Sequence, residues 1–250
     1  VAALAVSANA TDFTLSGTAK VKVADDGNTS VDVSTAIGVS KTFDNGMVLS
    51  LSNNNMGNAG ELTVKSDAIS VTFGDYDQNE KAPGLNGNAA SADISGDGIT
   101  ATSHSNDGAI SLGATVAGLG IGAAMNNDGD TMFGASFTTD MGGMAVTIGG
   151  DVHSDNTSSL DETAMGVKAT IGSLVVVANS VQKEAAAGVD VTTYSAAYTT
   201  GGLVIGFQGA DNDASSYSAT YTIVPGMNFQ IGSEDDGTTS VSSAELEMKF

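Results

Sequence analysis

Polar and apolar residues alternate with a period of two along most of the chain. Leu15, Val21 and Val23 share one parity of the first such segment, and Lys20 and Lys22 share the other. The same alternation returns at residues 216–223 and 227–231. This period is typical of β-strands with one dry face and one wet face, and helical spacing does not persist anywhere. The pattern therefore predicts an all-β protein.

The segments between these predicted strands alternate in length. All but one of the short connections contain Gly or Asn, which supply the positive φ of hairpin turns. The short connections are Asp44–Gly46, Ser66–Asp67, Gly96–Gly98, Ala117–Gly118, Met141–Gly143, Gly172–Ser173, Gly201–Gly202 and Pro225–Gly226. Longer acidic or amide-rich connections lie between them, at Asp25–Thr29, Asn53–Asn58, Asp75–Ser91, Ser105–Gly108, Asn126–Asp130, Ser154–Asp161, Gln182–Gly188, Ala210–Ser215 and Glu234–Thr239.

Strict alternation of short turns and long loops is typical of an outer-membrane β-barrel, which carries one kind on each rim. A sheet that crosses hydrocarbon must also close, because closure alone pairs every backbone N–H and C=O. The connections predict about eighteen strands in a transmembrane antiparallel barrel, with sixteen as the alternative because strand boundaries predicted from sequence shift by a few residues. Barrels of this size enclose water, which accounts for a polar inner face.

Composition narrows the possible functions. The 250 residues include 32 Gly, no Cys and no Arg, with 29 acidic against 8 basic side chains and a formal net charge of −21. Nucleic acid is an improbable partner, because phosphate neutralisation needs clustered basic side chains. The absence of Cys removes disulfides and zinc-thiolate sites. No apolar run approaches the ~20 residues of a membrane-spanning helix.

Residues 1–10, VAALAVSANA, differ from the rest. The apolar run and the small-x-small Ala8–Ala10 predict a signal-peptide remnant, with a buried first strand as the alternative. Residues 11–250 then form a single barrel domain. In this topology Phe13, Phe43, Tyr198 and Phe250 lie at the short-turn end, where a periplasmic aromatic girdle is expected.

Three segments stand out: the opening strand FTLSGTAKVKV, the segment ISVTFGDYD (Ile69–Asp77) and the last strand AELEMKF, which ends in Phe250. They resemble segments of Gram-negative outer-membrane porins, most closely the general porins of alphaproteobacteria. The resemblance implies a trimeric diffusion channel in the outer membrane, in contact with lipid and lipopolysaccharide. It also implies that Leu246, Met248 and Phe250 resemble the signal read by the barrel-assembly machinery. The Arg cluster that faces the third loop in this family is absent.

The same resemblance implies that the third long loop, Asp75–Ser91, folds into the barrel and narrows the pore. Asp75, Asp77 and Glu80 would then place carboxylates in the lumen, where rings of acid favour cations. Strand parity turns Lys20, Lys22 and Lys65 inward, so we expect them on the opposite wall. The alternative is that the three acids are ordinary solvated loop charges.

Other candidate sites are weaker. Ser103, His104, Ser105 and Asp107 lie close in sequence, but a hydrolase needs convergent geometry and not adjacency, so we predict no enzyme and no cofactor. His153 fits a polar strand end. Acidic loops such as Asn126–Asp130 offer oxygen ligands for weakly bound Ca²⁺ without the spacing of a known calcium loop, and a solvated turn is the better interpretation.

Two hypotheses follow. The first is a porin for passive diffusion of small hydrophilic solutes, with a preference for cations. The second is a secreted or surface-layer β-rich adhesin or solenoid with a structural role. A solenoid should show a fixed internal repeat, and the sequence shows none.

Overall fold

The computed structural model describes residues 12–53, 60–82, 107–156, 161–183 and 190–249. Their dominant element is one antiparallel sheet in which each strand pairs with its sequence neighbours and β1 pairs with β16, so that the sheet closes into a barrel. The strands are β1 Asp12–Ala24, β2 Thr29–Thr42, β3 Val48–Asn53, β4 Glu61–Lys65, β5 Ile69–Phe73, β6 Ile110–Val116, β7 Leu119–Met125, β8 Thr131–Asp140, β9 Met144–Ser154, β10 Glu162–Ile171, β11 Leu174–Lys183, β12 Val191–Thr200, β13 Leu203–Ala210, β14 Ser215–Val224, β15 Met227–Asp235 and β16 Ser240–Lys249.

The alternation of connection lengths is confirmed from β3 onward. Short turns join β4 to β5 and each later even-numbered strand to the next strand, and longer segments make the other connections there. The first two connections depart from the pattern, because residues 25–28 between β1 and β2 are fewer than residues 43–47 between β2 and β3. The turn between β6 and β7 has positive φ at both central residues, 49° at Ala117 and 82° at Gly118. This is the type I′ geometry that matches the twist of a two-residue hairpin.

The described residues form a closed barrel of sixteen strands, the lower of the two predicted numbers, so the count of eighteen included two strands too many. The two surplus strands were placed on either side of Gly96–Gly98, where the sequence has a strong turn signal. Residues 69–73 of β5 pair directly with residues 110–114 of β6. The segments predicted as a third loop, a turn and a fourth loop are therefore one long connection between neighbouring strands.

Large apolar side chains cover the outside of the barrel. Val31 and Val33 are each 68% exposed, and Met165 is 65% exposed. Strands of about ten residues, such as β8 to β12, have the length that a tilted strand needs to cross the hydrocarbon layer. The exposed apolar surface therefore fits a barrel whose outer face meets lipid.

The inner face is polar. Buried side chains on inward-facing positions include Asp151 and His153 of β9, Asn179 of β11 and Gln208 of β13. A polar interior behind an apolar exterior is the reverse of a soluble protein and is typical of porin-sized barrels. The closed wall also rules out the solenoid alternative, whose stack of repeats would leave the sheet open.

The aromatic girdle is confirmed in part. Phe43 and Tyr198 lie near the short-turn rim and are 42% and 49% exposed. The side chains of Phe13 and Phe250 lie outside the described part of the chain, as do residues 1–10, so the leader peptide stays a prediction. Within the described residues, no helix has both the length and the apolar character needed to cross a membrane.

Cysteine labelling tests the two-rim topology, because the sequence has no native Cys. We expect single cysteines at Asn127, Asn156 and Asp213, on the long-loop rim, to react with a membrane-impermeant maleimide on intact cells. Cysteines at Asn45 and Pro225, on the short-turn rim, should react only after the outer membrane is opened. Equal labelling of the two sets on intact cells would contradict this orientation.

Candidate functional site

The segment that follows β5 turns into the barrel and lies against its inner wall. We call residues 75–82 the inner segment. It contains one turn of 3₁₀ helix, Asp77–Asn79, and this turn contacts β6 and β7. The sequence predicted a loop that begins at Asp75 and folds inward, and this much is confirmed.

Asn79 fastens the inner segment to the first strands that it crosses. Its side-chain amide donates a hydrogen bond of 2.9 Å to the Ser111 hydroxyl on β6. The Ser70 hydroxyl on β5 donates one of 3.1 Å to the Asn79 side-chain oxygen. Asn79 and Ser111 are buried. Both ends of one amide are therefore used to fix the segment's position.

Asp151 of β9 holds the end of the segment. Its two carboxylate oxygens each lie 2.8 Å from the backbone nitrogen of Lys81, which donates to both. The Ala82 backbone N–H donates to the same carboxylate. Hydrogen bonds to a charged group contribute ~1.5–3 kcal/mol each, more than neutral ones. Asp151 is 1% exposed, so water competes little for these bonds.

Glycine on the wall makes room for the segment. A Cβ at Gly122 of β7 would overlap the backbone carbonyl oxygen of Asn79, and one at Gly149 of β9 would overlap that of Lys81. Glycine inside a strand often marks the close approach of another backbone. These two positions explain how a peptide can lie flat against β7 and β9.

Glu80 and His153 form a buried pair beside this contact. Glu80 Oε1 lies 3.4 Å from His153 Nε2, and the two side chains are 3% and 1% exposed. The ring of Tyr76, which is fully buried, packs on the imidazole with centroids 6.1 Å apart. Asp77 completes a group in which one ligand atom from each of Asp77, Glu80 and His153 lies within 4.8 Å of the others.

The electrostatics around Tyr76 are strongly negative. Burial raises the pKa of its phenol, and the carboxylates of Asp130, Asp77, Glu80 and Asp155 raise it further. Lys81 is affected in the opposite sense, because partial burial lowers the pKa of its ammonium despite the nearby Asp151. The inner segment thus brings acidic groups together at a point where solvent screens them poorly.

A second charged group faces the lumen from β1 and β16. Lys20 Nζ lies 3.3 Å from Glu245 Oε1 and 3.6 Å from Glu247 Oε1. Lys22 lies directly across from Glu245 in the strand register. In the sixteen-strand order, β1 and β16 are half a circuit away from β8 and β9. This group therefore lies across the lumen from the inner segment.

The predicted constriction residues divide into three places. Asp75, Asp77 and Glu80 are all on the inner segment, where Asp75 accepts a 3.0 Å hydrogen bond from the Asp77 backbone. Lys20 and Lys22 are on the facing wall. Lys65 is not across the lumen, because it lines a cavity of about 110 Å³ with Asn79 and Lys81 on the segment's own side.

The predicted assembly residues are placed only in part. Leu246 and Met248 point outward from β16 and are 37% and 42% exposed. Phe250 lies outside the described residues. Ser103, His104 and Ser105 lie there too, so the described residues do not test the weak hydrolase hypothesis.

Sequence reasoning missed Asp151 and His153 as anchors of the inner segment. Their parity offered one signal, since Gly149, Asp151 and His153 alternate with apolar Ile148 and Val152. That pattern turns them inward. It does not reveal a partner 70 residues away in sequence.

Comparison with solved structures decides the fold. A mutant of Rhodopseudomonas blastica porin superposes with a TM-score of 0.71 at 14% sequence identity, covering 96% of this chain and 100% of the other. Two further mutants of the same porin give a TM-score of 0.71 at 13% identity with the same coverage. This chain has the porin fold.

No protein-family model matches the chain. No curated protein matches it either. The porin fold is therefore carried by a sequence far from those of the superposed porins, and the predicted resemblance is confirmed at the level of the fold.

Exchange of Asp151→Asn tests the anchor. The Asn side chain has nearly the same shape as Asp but lacks the negative charge to which the backbone N–H groups of Lys81 and Ala82 donate. We expect hydrogen exchange at the amides of Lys81 and Ala82 to become at least about tenfold faster, since one charged hydrogen bond contributes ~1.5–3 kcal/mol.

Asp32→Asn is the matched control, because Asp32 faces the lumen from β2 opposite Lys20 and loses the same charge without touching the segment. Exchange at the two amides should stay at the wild-type rate in this variant. Equal protection in wild type, Asp151→Asn and Asp32→Asn would show that Asp151 does not hold the segment.

Proposed function

We propose that the protein forms a water-filled channel for passive diffusion of small hydrophilic solutes and ions across the outer membrane of a Gram-negative cell, with a preference for cations. The observation that carries the proposal is the inner segment, a peptide held against the inside of a closed polar barrel. A segment in this position narrows the lumen. Such an arrangement serves permeation and has no evident use in an adhesin.

The charges of the lumen support a preference for cations. On the segment side Asp75, Asp77 and Glu80 lie together. On the facing side, the ammonium of Lys20 is held between Glu245 and Glu247, so that its charge is offset locally. The chain as a whole has a formal net charge of −21, and the acidic residues in its loops also favour cations. A narrow lumen with low-dielectric walls concentrates such a field.

Burial limits how strongly each of the three carboxylates acts on permeating ions. Glu80 is paired with His153 and almost fully buried, so its carboxylate meets solutes indirectly. Asp75 and Asp77 remain partly exposed. We therefore propose that these two acids carry most of the segment's effect on permeating ions.

A homotrimer is the proposed assembly. Strands β4 and β5 have five residues each. At ~3.3 Å per residue and a tilt near ~45°, such strands cover roughly 12 Å, less than the ~25 Å apolar band of outer-membrane barrels. A short wall needs cover from neighbouring copies of the chain. The taller walls would meet lipid and lipopolysaccharide, and Leu246, Met248 and Phe250 would serve the barrel-assembly machinery.

Reversal potentials in a salt gradient test the selectivity. In planar bilayers we expect the wild type to favour cations and the triple variant Asp75→Asn, Asp77→Asn, Glu80→Gln to shift towards neutrality. The shift should persist at 1 M salt, because groups in the narrow lumen are screened less than exposed ones. Asp75→Asn alone should give part of the shift without disturbing the pair with His153.

Asp213→Asn is the control, since Asp213 lies in the loop between β13 and β14 with φ of 69°, a conformation that Asn also adopts. The small effect of this variant on the reversal potential should vanish at high salt. An anion-selective wild type, or a triple variant with wild-type reversal potential, would contradict the proposed role of the segment.

A further inference from the structure

Two carboxylates and an imidazole from distant parts of the chain meet where the inner segment crosses β9. Asp77 and Glu80 lie three residues apart on the segment, and His153 lies on the strand. One ligand atom from each lies within 4.8 Å of the other two. The cluster thus bridges the segment and the barrel wall.

The spacing of Glu80 and His153 is informative. Glu80 Oε1 and His153 Nε2 are 3.4 Å apart, longer than the ~2.7–2.9 Å of a charge-assisted hydrogen bond. Zinc bonds to nitrogen and oxygen of about 2.0–2.2 Å place neighbouring ligands of a tetrahedron roughly 3.3–3.5 Å apart. The two atoms are therefore spaced as ligands of one ion.

The surroundings are suited to a cation. Asp130 and Asp155, like Asp77 and Glu80, lie close enough to Tyr76 for their charges to raise the pKa of its phenol. Glu162 lies directly across from His153 on β10 and is 1% exposed. One imidazolium would balance only part of this buried negative charge. A divalent ion would balance more of it, and a carboxylate beside the imidazole is a common partner of metal-bound histidine.

The identity of the donors selects the class of ion. Calcium takes six to eight oxygen ligands, whereas imidazole suits zinc, copper and nickel. The ring of Tyr76 packs on His153 and limits its rotation. A mixed set of one nitrogen and two carboxylates fits a borderline transition-metal ion better than a hard one.

We propose that Asp77, Glu80 and His153 form a binding site for a divalent transition-metal ion of the zinc class, which fastens the inner segment to β9. The site supplements the hydrogen bonds that the next residues of the segment, Lys81 and Ala82, donate to Asp151. It depends on the fold and not on the channel activity.

Metal titration of the full-length protein, folded in detergent and stripped with chelator, tests the site. Calorimetry with Zn²⁺ should give one ion per chain, and Co²⁺ should give the visible absorption of a low-coordinate nitrogen and oxygen site. His153→Gln and Glu80→Gln should each weaken Zn²⁺ binding at least tenfold, and Asp77→Asn should also weaken it. Heat-modifiable migration on gels checks that every variant keeps its barrel.

Two control variants separate this site from other donors. His104→Gln removes the other histidine of the chain, and Asp32→Asn removes a lumen-facing acid on β2, opposite Lys20 and outside the cluster. Both should bind Zn²⁺ within about twofold of wild type. The proposal is overturned if the wild type binds no Zn²⁺, if His153→Gln binds it as tightly as the wild type does, or if Ca²⁺ displaces Zn²⁺ at equal concentration. A protein without channel activity could still bind Zn²⁺ as expected, so the two proposals fail separately.

Discussion

Closure of the sheet between β1 and β16 is the constraint on which the rest of the structure depends. Inside hydrocarbon each unpaired backbone N–H or C=O costs several kcal/mol. The register of Thr18–Ala24 with Ser243–Lys249 removes both edges at once. Because each strand then pairs on both sides, the outer face is free to be apolar and the inner face polar, and the interior needs no hydrophobic core of its own.

A polar interior creates the conditions for the inner segment. Its backbone must find partners inside the barrel, and the Asp151 carboxylate accepts hydrogen bonds from the backbone N–H groups of Lys81 and Ala82. The Asn79 side chain adds a bond to the Ser111 hydroxyl on the wall. Glycine at positions 122 and 149 lets the peptide approach the wall. Packing, hydrogen bonding and charge meet at the same strands, so the segment has a defined position from which it can shape the lumen.

The barrel architecture could be predicted from the sequence because the alternation of side chains along a strand and the residue preferences of turns are local properties. Alternation around Tyr217 and Tyr221 predicted an outward row on β14, and both side chains are exposed there. The strand count failed because Gly96–Gly98 resembles a hairpin turn, and only the pairing of β5 with β6 shows that nothing enters the wall between them. The anchors Asp151 and His153 were out of reach, because contacts between strands far apart in sequence leave no local pattern.

Single-channel recording in planar bilayers tests the central claim, an aqueous pore narrowed but not closed by the inner segment. Purified protein should insert in uniform steps whose conductance rises in proportion to the bulk conductivity of the bathing salt. Protein that is folded by heat-modifiability but gives no steps, or steps that do not rise with salt, would contradict the account.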